Sequence, residues 1–151
     1  LNAVARGFHR PGDVGLGSLR EVLDYRMVVK TVERIGDHAQ RMALNLLELV
    51  SSGALVSDEL TMRIVEYSWA ALDVFGRAMR ALARRERATS HELIREAREL
   101  VARHEPALIT SLLALPLRVG EFLQLRLVVD SLRRIAEYTT DLCEVVLDMN
   151  A

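Results

Sequence analysis

The side chains best suited to chemistry lie along one face of a predicted helix in the first third of the chain. Arg26, Lys30, Glu33, Asp37 and Arg41 follow one another at steps of three or four residues, which places all five on one stripe of an α-helix. Glu33 and Asp37 are carboxylates one turn apart, and two such groups can reach one hard cation through their oxygens. The spacing equally suits a solvated face on which Glu33 pairs with Lys30 and Asp37 with Arg41. Both interpretations stay open at this point.

A second stripe of the same kind lies near the end of the chain. Its members are Arg126, Asp130, Arg133, Glu137 and Asp141. Arg133 stands where the first stripe has Glu33, and a guanidinium beside Glu137 satisfies that carboxylate without a metal ion. If the first stripe is a cation site, the second is therefore a version that carries its own cation.

Four long helices are predicted to position these stripes. Apolar residues recur with a period near 3.6, and no segment shows the alternation of a strand. Four glycines and a proline within residues 7–18 indicate a linker or the tail of an upstream element over 1–18. The predicted helices cover 19–50, from Ser57 to about 85, from Thr89 to the break at Pro116, and 121–149. Such long helices with short connections predict an all-α, antiparallel helical bundle over 19–151.

Local signals set the expected ends of these helices. Ser18 with Glu21 forms a capping box, and Thr89 with Glu92 forms another, so we expect Ser18 and Thr89 to cap the first and third helices. Pro106 removes one backbone hydrogen bond and is expected to kink the third helix. Gly120 is expected to break the chain before the fourth.

Composition narrows the classes of function. The 151 residues carry a net charge of −1, so the broad basic field of a nucleic-acid-binding protein is missing. The single cysteine, Cys143, rules out an internal disulfide framework and is expected to be buried; it favours a cytoplasmic protein. No Ser-His-Asp order, glycine-rich phosphate loop or pair of catalytic acids is evident, so we expect no enzymatic activity.

The first and fourth helices match each other at a shift of 100 residues. Over 21–48 against 121–148, eight of 28 positions are identical without a gap. The identities include the charged pairs Arg26/Arg126 and Arg34/Arg134. This predicts an internal duplication of about 100 residues, in which 19–50 is the third helix of the first repeat and 57–150 is the second repeat. The first two helices of the first repeat would then lie upstream of Leu1.

The segment ERIGDHAQRMA, residues 33–43, resembles the PhoU family of phosphate-uptake regulators. The family pattern is Glu-x-x-x-Asp within a long helix, with a basic residue seven positions earlier, here Arg26. The resemblance covers about 19–150 and implies two three-helix repeats, the first of them truncated here. The second motif departs from the pattern, because Arg133 replaces its first carboxylate.

The resemblance also implies a function. PhoU-like proteins are cytoplasmic, oligomeric regulators that act beside a phosphate-specific ABC transporter ATPase or a phosphate permease and a sensor kinase. Several bind metal ions, which assigns Glu33 and Asp37 as ligands of a divalent or trivalent ion such as Fe, Zn, Mn or Mg. Glu99 and Glu105 on the third helix are candidate acidic partners. No direct contact with nucleic acid is expected from this fragment.

Other residues have more than one interpretation. His38 is expected to face a neighbouring helix, and His104 with Glu105 is either a ligand pair or part of the kink at Pro106. Tyr67 and Trp69 are expected in a core or an interface. The alternative function is an oligomerisation or effector domain of a larger transcriptional regulator with an upstream DNA-binding module. A metal-dependent hydrolase would need more ligands than the sequence places.

Overall fold

The computed structural model describes residues 6, 7, 10, 12 and 17–149. Within them the chain forms four helices and no strand: α1 (Leu19–Ser51), α2 (Asp58–Arg84), α3 (Arg87–Ala114) and α4 (Val119–Met149). The predicted all-α bundle is confirmed. Most of the predicted linker over 1–18, and residues 150–151, lie outside the described residues. None of the four helices combines the length and apolarity that a membrane crossing requires.

Two helix starts differ from the prediction. Ser18 does cap α1, since its Oγ accepts a hydrogen bond from the Glu21 N–H at 3.1 Å. Thr89 does not cap α3, because the helix already begins at Arg87 and Thr89 Oγ1 instead donates to the Glu86 carboxylate. Gly120 does not break the chain either. It lies in the first turn of α4, where Glu121 accepts a hydrogen bond from the Arg118 N–H at 2.9 Å and supplies the start signal.

The helix directions follow from contacts between their ends. Arg77 of α2 pairs with Glu96 of α3, and Arg87 at the start of α3 donates to the Leu147 carbonyl near the end of α4. Arg20 at the start of α1 donates to the Asp148 carbonyl. Thus α1 and α3 both run antiparallel to α4, while α2 runs parallel to it. The chain continues as helix through Pro106.

The core is built around α4, which packs against each of the other three helices. One cluster joins Leu60, Tyr67 and Leu108 to Leu125 and Leu132. A second joins α1 to α2 and α4, and a third holds α2 against α3 and Cys143. Cys143 is buried as expected, and burial raises the pKa of its thiol to about 11.

Equivalent positions of the two matching helices meet where α1 crosses α4. Ile35 and Ile135 belong to one buried cluster, and the rings of His38 and Tyr138 lie 5.8 Å apart. Two antiparallel copies of one helix related by a local two-fold axis would make these contacts. These contacts are compatible with the predicted duplication, which itself stays a prediction.

Leu125→Ala is expected to lower the free energy of unfolding by about 2–5 kcal/mol, because the side chain is completely enclosed and its loss leaves a cavity. Leu127→Ala is the matched control on the same helix, since Leu127 is about half exposed. We expect it to change stability by less than about 1 kcal/mol. Urea denaturation followed by circular dichroism measures both. Equal effects of the two substitutions would contradict this packing.

Candidate functional site

The candidate metal ligands Glu33 and Asp37 lie on the outer face of α1. Both side chains are exposed and one turn apart, as the spacing predicts. Lys30 Nζ lies 2.7 Å from Glu33 Oε2, and this hydrogen bond lowers the pKa of the Glu33 carboxyl below its ordinary value. Within the described residues Asp37 forms no ion pair, so the pair with Arg41 considered above does not form. The two carboxylates lie on the same face of α1, and among the residues that the structure describes no third ligand joins them as a metal-binding group.

These two residues fit one kind of metal ion better than others. Among the described residues there is no group of three or more His, Cys, Asp or Glu side chains that converges as a ligand set. Closed zinc sites use four protein ligands, whereas Mg²⁺ is commonly held by one or two carboxylates and keeps several waters. Glu33 and Asp37 therefore suit a hydrated hard cation, which would have to compete with Lys30.

The equivalent stripe on α4 is organised around an arginine. Arg133 Nη1 lies 2.6 Å from Glu137 Oε1, and Nη2 donates to the Asp130 carboxylate. Arg133 Nε lies 3.5 Å from Glu105 Oε1, and Arg126 approaches the same carboxylate at 3.4 Å. Three carboxylates from two helices thus surround one guanidinium. The prediction that Arg133 satisfies Glu137 is confirmed, and Glu105 joins the cluster from α3.

The charges within this cluster shift the pKa values of Asp130 and Arg133. Burial alone would raise the pKa of Asp130, but the hydrogen bond and positive charge of Arg133 outweigh it and hold the pKa below its ordinary value. The hydrogen bond to Asp130 in turn raises the pKa of Arg133. The side chain of Arg133 is only 22% exposed, so this network is screened less than a surface pair.

His38 lies beside the charged stripe of α1 and faces inward toward α4, as predicted. Only 8% of its surface is exposed, and Nδ1 lies 3.4 Å from Ser131 Oγ. The Arg34 guanidinium lies over the ring of Tyr138, on the same side of the crossing. Burial, followed by the charge of Arg41, lowers the pKa of His38. This shift favours the neutral form of the ring at the point where α1 and α4 meet.

The remaining candidate residues have structural partners. The ring of His104 stacks on that of Tyr67 with centroids 5.0 Å apart, whereas Glu105, the other member of the candidate ligand pair, lies beside arginines. Tyr67 is fully buried, whereas Trp69 is 67% exposed. Glu99 pairs with Arg95 on the surface of α3 and stays apart from the Arg133 cluster. Sequence spacing could not find the contacts of Glu105 with Arg126 and Arg133, because they join different helices.

The chain was compared with protein-family models, curated proteins and solved structures, and none of them matches it.

Arg133→Met is expected to lower the free energy of unfolding by about 1–3 kcal/mol at pH 7, because it leaves three carboxylates close together without the guanidinium. Methionine keeps an aliphatic side chain at this position, so the substitution removes mainly the charge. In the native chain the stabilisation from Asp130 is present at neutral pH and is lost as the pH falls through its lowered pKa. In the variant, only the charges of Arg126 and Arg134 still oppose the effect of burial, so the pKa of Asp130 is higher than in the native chain. The deficit of the variant should therefore shrink as the pH is lowered toward about 4.

The matched control for this prediction is Arg98→Met. Arg98 pairs with Glu144 at 3.8 Å and its side chain is 70% exposed, so its loss should cost less than about 1 kcal/mol. Denaturant titrations of both variants between pH 4 and 7 measure the effect. A deficit in Arg133→Met that stays constant with pH would show that the carboxylates do not repel one another.

His38→Gln is expected to weaken the pH dependence of stability between about pH 7 and 5. The unfolded chain takes up a proton on His38 near its ordinary pKa of 6.5, whereas the folded chain keeps the ring neutral to lower pH. The native chain therefore loses stability as the pH falls through this window. Exposed His91 supplies the control His91→Gln. An unchanged slope in His38→Gln, measured by thermal unfolding at each pH, would refute this assignment.

Proposed function

We propose that this chain is a PhoU-like helical regulator of phosphate uptake and phosphate signalling that acts by binding other proteins. Its partners would be a phosphate transporter, through the ATPase or the permease, and a sensor kinase. A hydrated divalent cation at Glu33 and Asp37 would control the binding. The observation that carries the proposal is the exposed carboxylate pair on α1, within the segment that resembles the family motif.

The contrast between the two stripes supports a role for the cation. On α4 the equivalent position is occupied by Arg133, whose charge is already neutralised by three carboxylates. On α1 the carboxylate pair has one lysine, on a 58% exposed side chain, as its cation. An exposed lysine pair is weak, so a divalent ion can replace it at modest cost. The α4 site would be permanently occupied by its own cation, and the α1 site would respond to ions in solution.

The cation would act through charge on the surface of α1. Binding neutralises two adjacent negative charges and releases Lys30, so the sign of the potential along the stripe changes. A partner surface that contacts this stripe would sense that change through its association rate and specificity. This mechanism needs no chemical step and assigns no catalytic residue.

The alternative, an oligomerisation domain of a larger transcriptional regulator, is favoured by one observation. Large apolar side chains are exposed along α1 and α2, including Leu47, Val50 and Trp69. Exposed apolar patches of this kind mark protein-binding surfaces. A metal-independent scaffold would carry such a surface without using the carboxylate pair.

The first test is the metal content of the purified chain after incubation with Mg²⁺, Mn²⁺, Zn²⁺ or Fe²⁺ and gel filtration, measured by plasma mass spectrometry. Isothermal titration with Mg²⁺ and Mn²⁺ covers ions that dissociate during filtration. We expect one ion per chain, and a loss of affinity of about 10-fold or more in Glu33→Ala/Asp37→Ala, because two carboxylates are the only protein oxygens assigned to the ion.

Glu144→Ala/Asp148→Ala is the matched control, since these exposed carboxylates are also one turn apart on a helix. The control should bind as the native chain does. An equal loss of metal affinity in both double variants would mean that the ion responds to general negative charge rather than to a specific site. No binding of any ion to the native chain would remove the cation from the proposal and favour the metal-independent scaffold.

A further inference from the structure

Tyr67 is a fully buried side chain of α2 that carries a polar group into the apolar core. Its ring packs in one cluster with Leu108 of α3 and with Leu125 and Leu132 of α4. The hydroxyl oxygen Oη is enclosed as well, and no described group lies within hydrogen-bond distance of it. A buried donor without a partner is destabilising, and nearly all buried polar groups of native proteins have one. The hydroxyl therefore calls for a partner.

The ring plane of Tyr67 is fixed by His104 of α3. The two rings are nearly parallel, with an angle of 6° between their planes and 5.0 Å between their centroids. The phenol cannot turn its hydroxyl toward another part of the core without losing this stacking. Burial, followed by the negative charge of Glu105, raises the pKa of Tyr67, so the hydroxyl stays protonated and remains a hydrogen-bond donor.

The hydroxyl of Tyr67 extends toward the Arg133 cluster. The charged groups that act on the phenol are those of Glu105, Arg133 and Glu137. All three belong to the contact between α3 and α4, where Arg133 pairs with both carboxylates. A donor from α2 is thus directed at a group of carboxylates on two other helices.

The Glu105 carboxylate has acceptor capacity left. Its Oε1 lies 3.4 Å from Arg126 Nη2 and 3.5 Å from Arg133 Nε. Both separations exceed the usual range of about 2.7–3.2 Å for such hydrogen bonds. Its Oε2 forms no hydrogen bond with a residue that the structure describes, and the side chain is only 20% exposed. A donor and an acceptor therefore lie near each other, but too far apart for a direct bond.

We infer that one internal water molecule binds between Tyr67 and Glu105. The water accepts the hydrogen bond of the Tyr67 O–H and donates to the Glu105 carboxylate, and Glu137 in the same cluster offers a third partner. Internal waters typically form about three hydrogen bonds to buried polar groups. Polar groups that are slightly too far apart for a direct contact are commonly joined in this way.

This water extends the Arg133 cluster to a third helix. Glu105 lies on α3 and Arg133 on α4, and the water adds Tyr67 of α2 to the same network. A fully bonded polar network fixes the relative positions of helices more strictly than apolar contacts do. The site concerns the core between α2, α3 and α4, so it is independent of whether a cation binds Glu33 and Asp37.

The first test is Tyr67→Phe, which removes the hydroxyl and keeps the ring that stacks on His104. With the water bound, the melting temperature should fall by about 3–6 °C, because its hydrogen bond to the phenol is lost. A hydroxyl without a partner would give the opposite sign, since its removal relieves an unsatisfied donor. Tyr138→Phe is the matched control, because Tyr138 is only half-buried; its melting temperature should stay within about 2 °C of the native value.

The second test asks whether Tyr67 and Glu105 share the water. In a Glu105→Met background the water loses its carboxylate, so the additional change Tyr67→Phe should no longer lower the melting temperature. Glu99→Met is the matched background, since Glu99 pairs with Arg95 on the surface of the same helix. There Tyr67→Phe should keep its full effect. Thermal unfolding followed by circular dichroism measures all of these variants.

A high-resolution crystal structure of the native chain tests the water directly and does not depend on the stability of any variant. We expect an ordered water about 2.7–3.0 Å from both Tyr67 Oη and a Glu105 oxygen. An unchanged or raised melting temperature in Tyr67→Phe would show that the hydroxyl has no partner. An equal fall in the native and Glu105→Met backgrounds would exclude Glu105 as that partner. A direct bond between Tyr67 and Glu105, or a map without water between them, would overturn the inference.

Discussion

The structure depends on the apolar packing of α4 against three helices at once. Twelve of its residues are buried, twice as many as the six of α1, and they include Val128, Ile135 and Leu142. Burial on this scale supplies the main favourable free energy of a helical bundle. It also decides which face of each helix points inward, because α1, α2 and α3 all pack an apolar face against α4. The polar stripes are positioned as a consequence of this packing.

The two charged stripes, which the apolar packing holds in place, differ in their electrostatic surroundings. On α4 the stripe lies beside α3, so Glu105 reaches Arg133 and the guanidinium is held by carboxylates from two helices. On α1 the stripe faces solvent, and among the described residues Glu33 forms an ion pair only with Lys30, which belongs to the same helix. The same spacing of charged residues therefore gives a closed network in one place and an exposed carboxylate pair in the other. The difference comes from the neighbouring helix and from one substitution, Arg133 at the position of Glu33.

Surface composition gives a consistent picture of α1 as a helix with two free faces. One carries Glu33 and Asp37, and the other carries the exposed small residues Gly36, Ala39 and Ala43 in line with Val29. A helix that used only its contact with α4 would be expected to have polar residues over the rest of its surface. Exposed apolar patches of this kind are typical of protein-binding surfaces.

The sequence by itself determined the helical class, the four elements and the stripes, because helix period and N-terminal caps are local properties. The cap at Ser18, the inward position of His38 and the pair of Arg133 with Glu137 were all predictable from spacing. The starts of α3 and α4 were not predictable from spacing. Thr89 and Gly120 lie inside these helices, because tertiary contacts extend α3 and the Glu121 side chain extends α4. Only the tertiary structure decided that Glu105 joins Arg133, and that Val29 is exposed while Val129 is buried. These outcomes depend on which helix lies opposite, and a periodic pattern contains no information about its neighbour.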